Sequence, residues 1–125
     1  MSIFRPFEVE AIRLMTAGVL SDRQLLSVLN AAHMKSYEYT GSGYFLTVEE
    51  SSLPVEPRTL SNPIVVGNAD EIQAGFVIFL GDGELTLECH TWGTQNVPAD
   101  FRDRSVIVIT PPVNNITKVS ETWSC

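Results

Sequence analysis

One stretch, GFVIFLGDGELTLECHTWG at residues 75–93, constrains the fold more than any other part of the chain. Two runs rich in β-branched, aromatic and aliphatic residues flank a glycine-aspartate-glycine turn at 81–83, which can supply positive φ angles. In the second run Leu85, Leu87 and Cys89 alternate with polar residues, the pattern of a strand with one face in the core. The first run is apolar on both faces, as in a strand covered on both sides. The stretch therefore predicts a β-hairpin.

The N-terminal third of the chain has helical periodicity instead. Apolar residues recur at helical spacing between residues 4 and 15, and Pro6 suits a first turn because its missing N–H needs no partner there. Ser21 precedes Gln24 by three residues, the capping-box spacing at which each side chain bonds the other residue's backbone N–H. A second helix is therefore predicted from this box to about His33, joined to the first by a hairpin or a sharp corner.

The rest of the chain predicts strands and loops. Residues 36–50, SYEYTGSGYFLTVEE, are either two short strands with a glycine turn or one long strand bulged at Gly41–Gly43. The remaining segments are predicted as a proline-rich loop or irregular edge structure at 51–63, a strand at 64–67, a turn at 68–74, a buried strand at 104–112 and an edge-like strand at 116–123.

Helices followed by strands predict an α+β fold. We expect an N-terminal helical hairpin packed on one face of a mostly antiparallel sheet of about five strands. A chain of 125 residues is the size of one domain and buries roughly two-thirds of its unfolded surface. We therefore expect a single domain, residues 1–125, with 1–34 helical and 35–125 mainly strands.

The charge balance limits the partners. Fifteen acidic residues against 8 basic ones give a formal charge of −7, and the basic residues are scattered along the chain. Nucleic-acid binding needs clustered Lys and Arg, so nucleic acid is not expected as a partner. Long-range attraction would instead favour a basic protein partner.

The sequence also predicts where the protein is found. No early segment resembles a signal peptide, and the longest apolar run, residues 76–80, is far too short to cross a bilayer. Cys89 lies inside a predicted strand and Cys125 is the last residue. We therefore expect two reduced thiols in a cytoplasmic protein, with no membrane partner.

Glu88 and His90 are the strongest candidates for chemistry, because strand alternation places them on one face. Such a pair can hold a metal with a third ligand, or act as acid and base. The alternative is a solvent-facing strand with ordinary polar residues. The other histidine of the chain, His33, is expected at the end of a helix, and a metal site would need Glu38, Glu49 or an aspartate as a further ligand, so no metal or cofactor is expected. Cys89 faces the core and is expected to be a structural thiol.

The hairpin resembles one found in small, mostly uncharacterised bacterial domains, some of which are immunity proteins of toxin systems. The matching positions are Ala74, Gly75, Phe76, Phe79, Gly83, Leu85, Leu87 and Glu88, and YTGSGYF at 39–45 resembles a second element of these domains. The resemblance implies a cytoplasmic, acidic, non-enzymatic bacterial protein that binds another protein.

We therefore expect a non-enzymatic interaction protein, an immunity-like inhibitor that occludes a basic partner. Tyrosines are common interface anchors, and acidic residues attract a basic protein. The predicted contact residues are Tyr37, Glu38, Tyr39, Tyr44, Glu88 and His90. Two alternatives stay open: a ligand-binding protein or enzyme with a pocket that uses Glu88 and His90, and a homodimer that pairs exposed strands.

Overall fold

Two helices form the first part of the chain in the computed structural model, which describes residues 3–93 and 95–111. Helix α1 (Pro6–Thr16) begins at its proline, as predicted, and helix α2 (Asp22–Ala31) begins directly after Ser21, the first residue of the capping box. The Gln24 N–H donates to Ser21 Oγ at 3.1 Å, and the Ser21 N–H donates to Gln24 Oε1 at 2.9 Å. None of the helices in the described ranges is long and apolar enough to cross a membrane.

Within the described residues seven antiparallel strands follow the helices, which confirms the α+β class and gives slightly more strands than the predicted five or so. The strands are β1 (His33–Tyr39), β2 (Gly43–Glu49), β3 (Arg58–Leu60), β4 (Val66–Ala69), β5 (Ile72–Gly81), β6 (Glu84–Thr91) and β7 (Ile107–Ile109). They are ordered β1-β2-β6-β5-β4-β7, and β3 also pairs with β5. A short 3-10 helix, Phe101–Asp103, precedes β7.

The predicted hairpin forms around a tight turn between β5 and β6. Asp82 and Gly83 adopt the φ angles of +53° and +74° that such a turn requires. Leu85, Leu87 and Cys89 are buried, as their alternation predicts, while the residues between them are half-buried. Successive side chains of β6 thus point alternately to the two faces of the sheet.

Both helices pack on one face of the sheet, the helix face. Its buried strand residues meet buried helix residues in one core: Leu46, Val48, Ile78, Leu80, Leu85, Leu87 and Cys89 with Phe7, Ala11, Ile12, Met15 and Val28. This core is the helix-on-sheet layer that the sequence predicts.

The helices leave the other face uncovered, and we call it the open face. Its side chains are those that alternate with the core residues: Ser36, Glu38, Phe45, Thr47, Glu49, Val66, Asn68, Val77, Phe79, Glu84, Thr86, Glu88, His90, Ile107 and Ile109. Two further side chains adjoin it, since Lys35 pairs with Glu84 and the Trp92 ring lies against His90.

The segment after α2 was compatible either with two short strands or with one long strand bulged at its glycines. It forms two strands joined by a turn at Gly41, where φ is +96°. The bulge lies elsewhere, between Met34 and Ser36 of β1. Helix α2 ends at Ala31, slightly before the predicted His33, which is already the first residue of β1.

Three predictions about the strands are wrong. The predicted turn at 68–74 contains strand residues on both sides of a tight turn at Asp70, where φ is +57°. Strand β5 is covered on one face only, and β7 is an edge strand with exposed isoleucines rather than a buried strand. In each case the apolar or polar character of the side chains does not determine whether a sheet face is covered or where a short turn divides two strands. The predicted strand at 116–123, like Cys125, lies outside the described residues.

Candidate functional site

Tyr44, predicted to contact a partner, lies in the protein interior. It is 1% exposed, and its hydroxyl donates a hydrogen bond to the carboxylate of Glu8. Glu8 is itself 0% exposed, and Arg102 donates two hydrogen bonds to it, from Nε to Oε2 and from Nη2 to Oε1, both at 2.8 Å. We call these three residues the buried network. Because Tyr44 has almost no accessible surface, a partner protein cannot contact it in this structure.

The local fold explains how the buried network is positioned. Glu8 lies in the first turn of α1, where its Oε1 also accepts the Arg5 N–H at 2.8 Å. Arg102 belongs to the 3-10 helix and follows Phe101, whose fully buried ring anchors that helix in the core. Tyr44 lies on β2 and faces the helices. The network therefore joins α1, the sheet and the 3-10 helix.

The electrostatics of the buried network favour a structural role. Burial and then the negative charge of Glu8 raise the pKa of Tyr44, so its hydroxyl stays protonated and keeps donating. The Arg102 guanidinium lies 5.4 Å from the ring centroid of Tyr37 and 5.9 Å from that of Tyr44. Glu8 thus has a cationic partner and a neutral donor, as a buried carboxylate requires.

Sequence analysis missed Glu8 and Arg102. They are separated by 94 positions, and no local pattern connects them. One signal was present for Glu8, because it lies four residues after Phe4 and four before Ile12, on the apolar stripe of α1. A carboxylate on such a stripe needs a buried partner, but the sequence does not identify which of the eight basic residues supplies it.

Tyr37 and Tyr39 also face the helix side, at the edge of the sheet. The Tyr37 ring lies 5.4 Å from the Tyr44 ring, and the Tyr39 hydroxyl donates to the Val97 carbonyl at 2.7 Å. Each of these two residues keeps more than a third of its surface exposed. The three tyrosines are thus brought together, but on the opposite side of the sheet from the other predicted contact residues.

Those other residues, Glu38, Glu88 and His90, all lie on the open face. Glu88 is flanked across the sheet by Phe45 and Val77. His90 is flanked by two glycines, at positions 43 and 75. These neighbours offer no acid, base or metal ligand to the pair. Among the described residues, no group of three or more His, Cys, Asp or Glu could hold a metal ion.

His90 and Trp92 form an aromatic pair above Gly75. Their ring centroids are 6.2 Å apart, and a Cβ at Gly75 would lie 2.7 Å from atoms of both rings. The His90 Nδ1 lies 3.1 Å from the Thr91 carbonyl oxygen, which can only accept, so Nδ1 carries the proton of this hydrogen bond. The absence of a side chain at Gly75 thus lets both rings lie close to the backbone of β5.

The open face combines apolar and acidic side chains. Phe79 and Trp92 are 38% and 47% exposed, and the two isoleucines of the edge strand β7 are exposed on the same face. The charged side chains at its sheet positions are Glu38, Glu49, Glu84 and Glu88, together with the adjoining Lys35. Lys35 is held by Glu84 and lies 3.9 Å from Glu49, beside an open groove of about 580 Å³. The sequence predicted the acidic residues of this surface but not its exposed apolar ones.

Cys89 is a buried thiol on the helix face, as predicted. Burial and then the negative charge of Glu8 raise its pKa, which disfavours the reactive thiolate. This environment is the reverse of the electropositive, accessible surroundings of a nucleophilic cysteine.

We expect the Cys89 thiol to be protected from alkylation in the folded protein. In a Cys125→Ser variant, which leaves one thiol, its reaction with iodoacetamide should be at least about a hundredfold slower in buffer than in urea. Similar rates in the two solvents would show that the thiol is accessible and would contradict its burial.

Comparisons with protein-family models, with curated proteins and with solved structures find no match for this chain.

Proposed function

We propose that this protein is a non-enzymatic interaction protein that binds a basic protein partner through its open face. One observation carries the proposal: exposed apolar side chains and an excess of carboxylates share a sheet face that the helices leave uncovered. The predicted contact residues Glu38, Glu88 and His90 belong to this surface, and Tyr37, Tyr39 and Tyr44 do not.

The apolar part of the open face would supply affinity. Phe79 and Trp92 keep substantial exposed surface, and Phe45 and Val77 lie half-buried between the acidic residues. Contiguous exposed apolar surface with a polar rim is typical of binding sites, and tryptophan is enriched among the residues that dominate binding energy. Phe79 lies within β5 and Trp92 directly follows β6, so little backbone conformational entropy would be lost on binding.

The acidic part would select the partner. Among the described residues, the carboxylates of the open face outnumber the one lysine beside them, and the whole chain carries a formal charge of −7. Complementary charge speeds association and disfavours acidic competitors, including a second copy bound face to face. An immunity-like inhibitor would act in this way, by occluding a basic surface of its partner.

The proposal is tested by affinity capture from a lysate of the source organism, at low and at physiological salt. We expect the tagged protein to retain a basic protein in near-equal amount, less at higher salt. A Phe79→Ser/Glu88→Lys variant of the open face should lose this protein, because single anchor residues can contribute about 2 kcal/mol or more to binding.

A matched control also replaces one exposed apolar residue with serine and one glutamate with lysine, but on the helices, at Leu26 and Glu10. The Leu26→Ser/Glu10→Lys variant should retain the partner as the unmodified protein does. Equal capture by the two variants, or a partner that is acidic and insensitive to salt, would contradict the proposal.

A homodimer formed by strand pairing is the alternative that β1 raises, because this edge strand is exposed along all seven residues. However, it carries a bulge at Lys35 and a charged residue at Glu38, features that protect sheet edges from pairing. We therefore expect a monomeric mass by light scattering. A mass that rises with concentration would instead favour the homodimer.

A further inference from the structure

Three arginines from two distant parts of the sequence line one small cavity. Arg5 precedes α1, Arg102 belongs to the 3-10 helix, and Arg104 directly follows that helix. The cavity measures about 210 Å³ and is also lined by Pro6, Phe7, Ser105 and Val106. In a chain with only 8 Lys and Arg and a charge of −7, this is a marked concentration of guanidinium groups.

The three guanidinium groups differ in how firmly they are held. Arg102 is 12% exposed and its charge is matched by Glu8, so it forms the fixed wall of the cavity. Arg5 Nη2 pairs with Asp103 and Arg104 Nε pairs with Asp100, each through one contact of 3.1 Å. Both of these pairs are largely exposed to solvent.

Arg5 and Arg104 therefore keep most of their hydrogen-bonding capacity. A guanidinium group has five N–H donors, and one contact to an aspartate uses only one of them. Exposed ion pairs of this kind contribute about 0–1 kcal/mol, so a better acceptor can replace the aspartate at little cost. Phosphate and carboxylate groups are better acceptors where two arginines can each offer a bidentate contact.

We propose that this cavity binds a small oxyanion, a phosphate or a carboxylate group, between Arg5 and Arg104. Its volume of about 210 Å³ is below the range of drug-sized sites, roughly 300–1,000 Å³, so it would hold the charged group while the rest of a larger ligand stays outside. The positive end of the α1 dipole adds to the attraction.

This inference is independent of the proposed partner. The cavity lies on the helix side, since its Phe7 and Val106 pack against the core, whereas the partner is assigned to the open face. In this site Asp100 and Asp103 act as internal competitors of the oxyanion. Their removal should therefore strengthen binding, which is the opposite of the effect expected for ligand-binding residues.

The test is a titration of the full-length protein with inorganic phosphate, and separately with acetate, at constant ionic strength. Arginine Nε–Hε resonances report binding by nuclear magnetic resonance. We expect saturable shifts at Arg5 and Arg104 with at least one of the two anions, and the anion that saturates identifies the ligand class. Arg5→Gln or Arg104→Gln should weaken binding about tenfold, as the loss of one charge-assisted contact implies.

The aspartate variants test the proposal more specifically, because they are expected to tighten anion binding. Asp100→Asn and Asp103→Asn should each tighten binding several-fold, whereas Glu10→Gln, which makes the same charge change at an exposed site on α1, should have little effect. The proposal is overturned if neither anion gives saturable shifts. It is also overturned if the arginine variants bind as the unmodified protein does, or if Glu10→Gln tightens binding as much as the aspartate variants.

Discussion

Replacing Arg102 with methionine is expected to lower the free energy of unfolding by about 3–5 kcal/mol, because it leaves a buried carboxylate without its cation. Glu8 is 0% exposed, and Arg102 supplies both of its charge-assisted hydrogen bonds from a side chain. The remaining donors, the Tyr44 hydroxyl and the Arg5 N–H, carry no full charge. Urea unfolding followed by tryptophan fluorescence measures the loss.

Two further variants separate the buried charge from other effects of the substitution. A Glu8→Leu/Arg102→Met variant removes both charges, and we expect it to recover much of the lost stability, since apolar replacements of buried ion pairs are often neutral. Arg104→Met removes an exposed pairing and should change stability by no more than about 0.5 kcal/mol. A loss of that small size in Arg102→Met would contradict the role assigned to the buried network.

Phe101→Ala is expected to cost a similar amount, about 3–5 kcal/mol, because it removes a fully buried aromatic ring and leaves a cavity. The ring contacts Phe7 edge to face, with 5.6 Å between the centroids. Since Phe101 anchors the 3-10 helix, its loss should also displace Arg102. We therefore expect chemical-shift changes at Glu8 and Tyr44 in addition to the lower midpoint of unfolding.

The matched control for Phe101 is Ile107→Ala. Ile107 is a large apolar residue of the same segment, but it is 67% exposed on the open face. Its truncation should cost less than about 0.5–1 kcal/mol, because little area is buried there. Equal losses for the two variants would mean that the segment is packed differently from the structure described.

Local signals explain why much of the fold could be predicted. The capping box of Ser21 and Gln24 and the hairpin turn at 81–83 act over a few residues, so short stretches of sequence determine them. The alternation of β6 likewise predicts which of its side chains are buried. For these elements local preference and tertiary packing agree.

The errors come from information that is not local. An apolar run such as FVIFL or VIVI has the same composition whether its second face is covered by protein or left open. Phe79 and Ile107 were therefore expected in an interior, and they lie on the open face instead. The partners of Glu8 were missed for the same reason, because long-range pairing fixes them.

The predicted contact residues are divided between the two faces of the sheet for the same reason. Alternation correctly placed Glu88 and His90 on one strand face, but it could not show that their cross-strand neighbours are apolar residues and glycines. Alternation also separates Tyr37 and Tyr39 from Glu38 within β1, but it does not show which of these residues share a face with Glu88. Strand order, which brings β2, β5 and β6 together, decides both points.

Hydroxyl-radical footprinting of the complex with the captured partner tests the proposed role of the open face most directly. Aromatic side chains on the two faces of the sheet serve as internal references for each other. We predict that the partner protects Phe79 and Trp92, while Tyr37 and Tyr39 react as they do in the free protein. Protection of the two tyrosines, with Phe79 and Trp92 still fully reactive, would contradict binding through the open face.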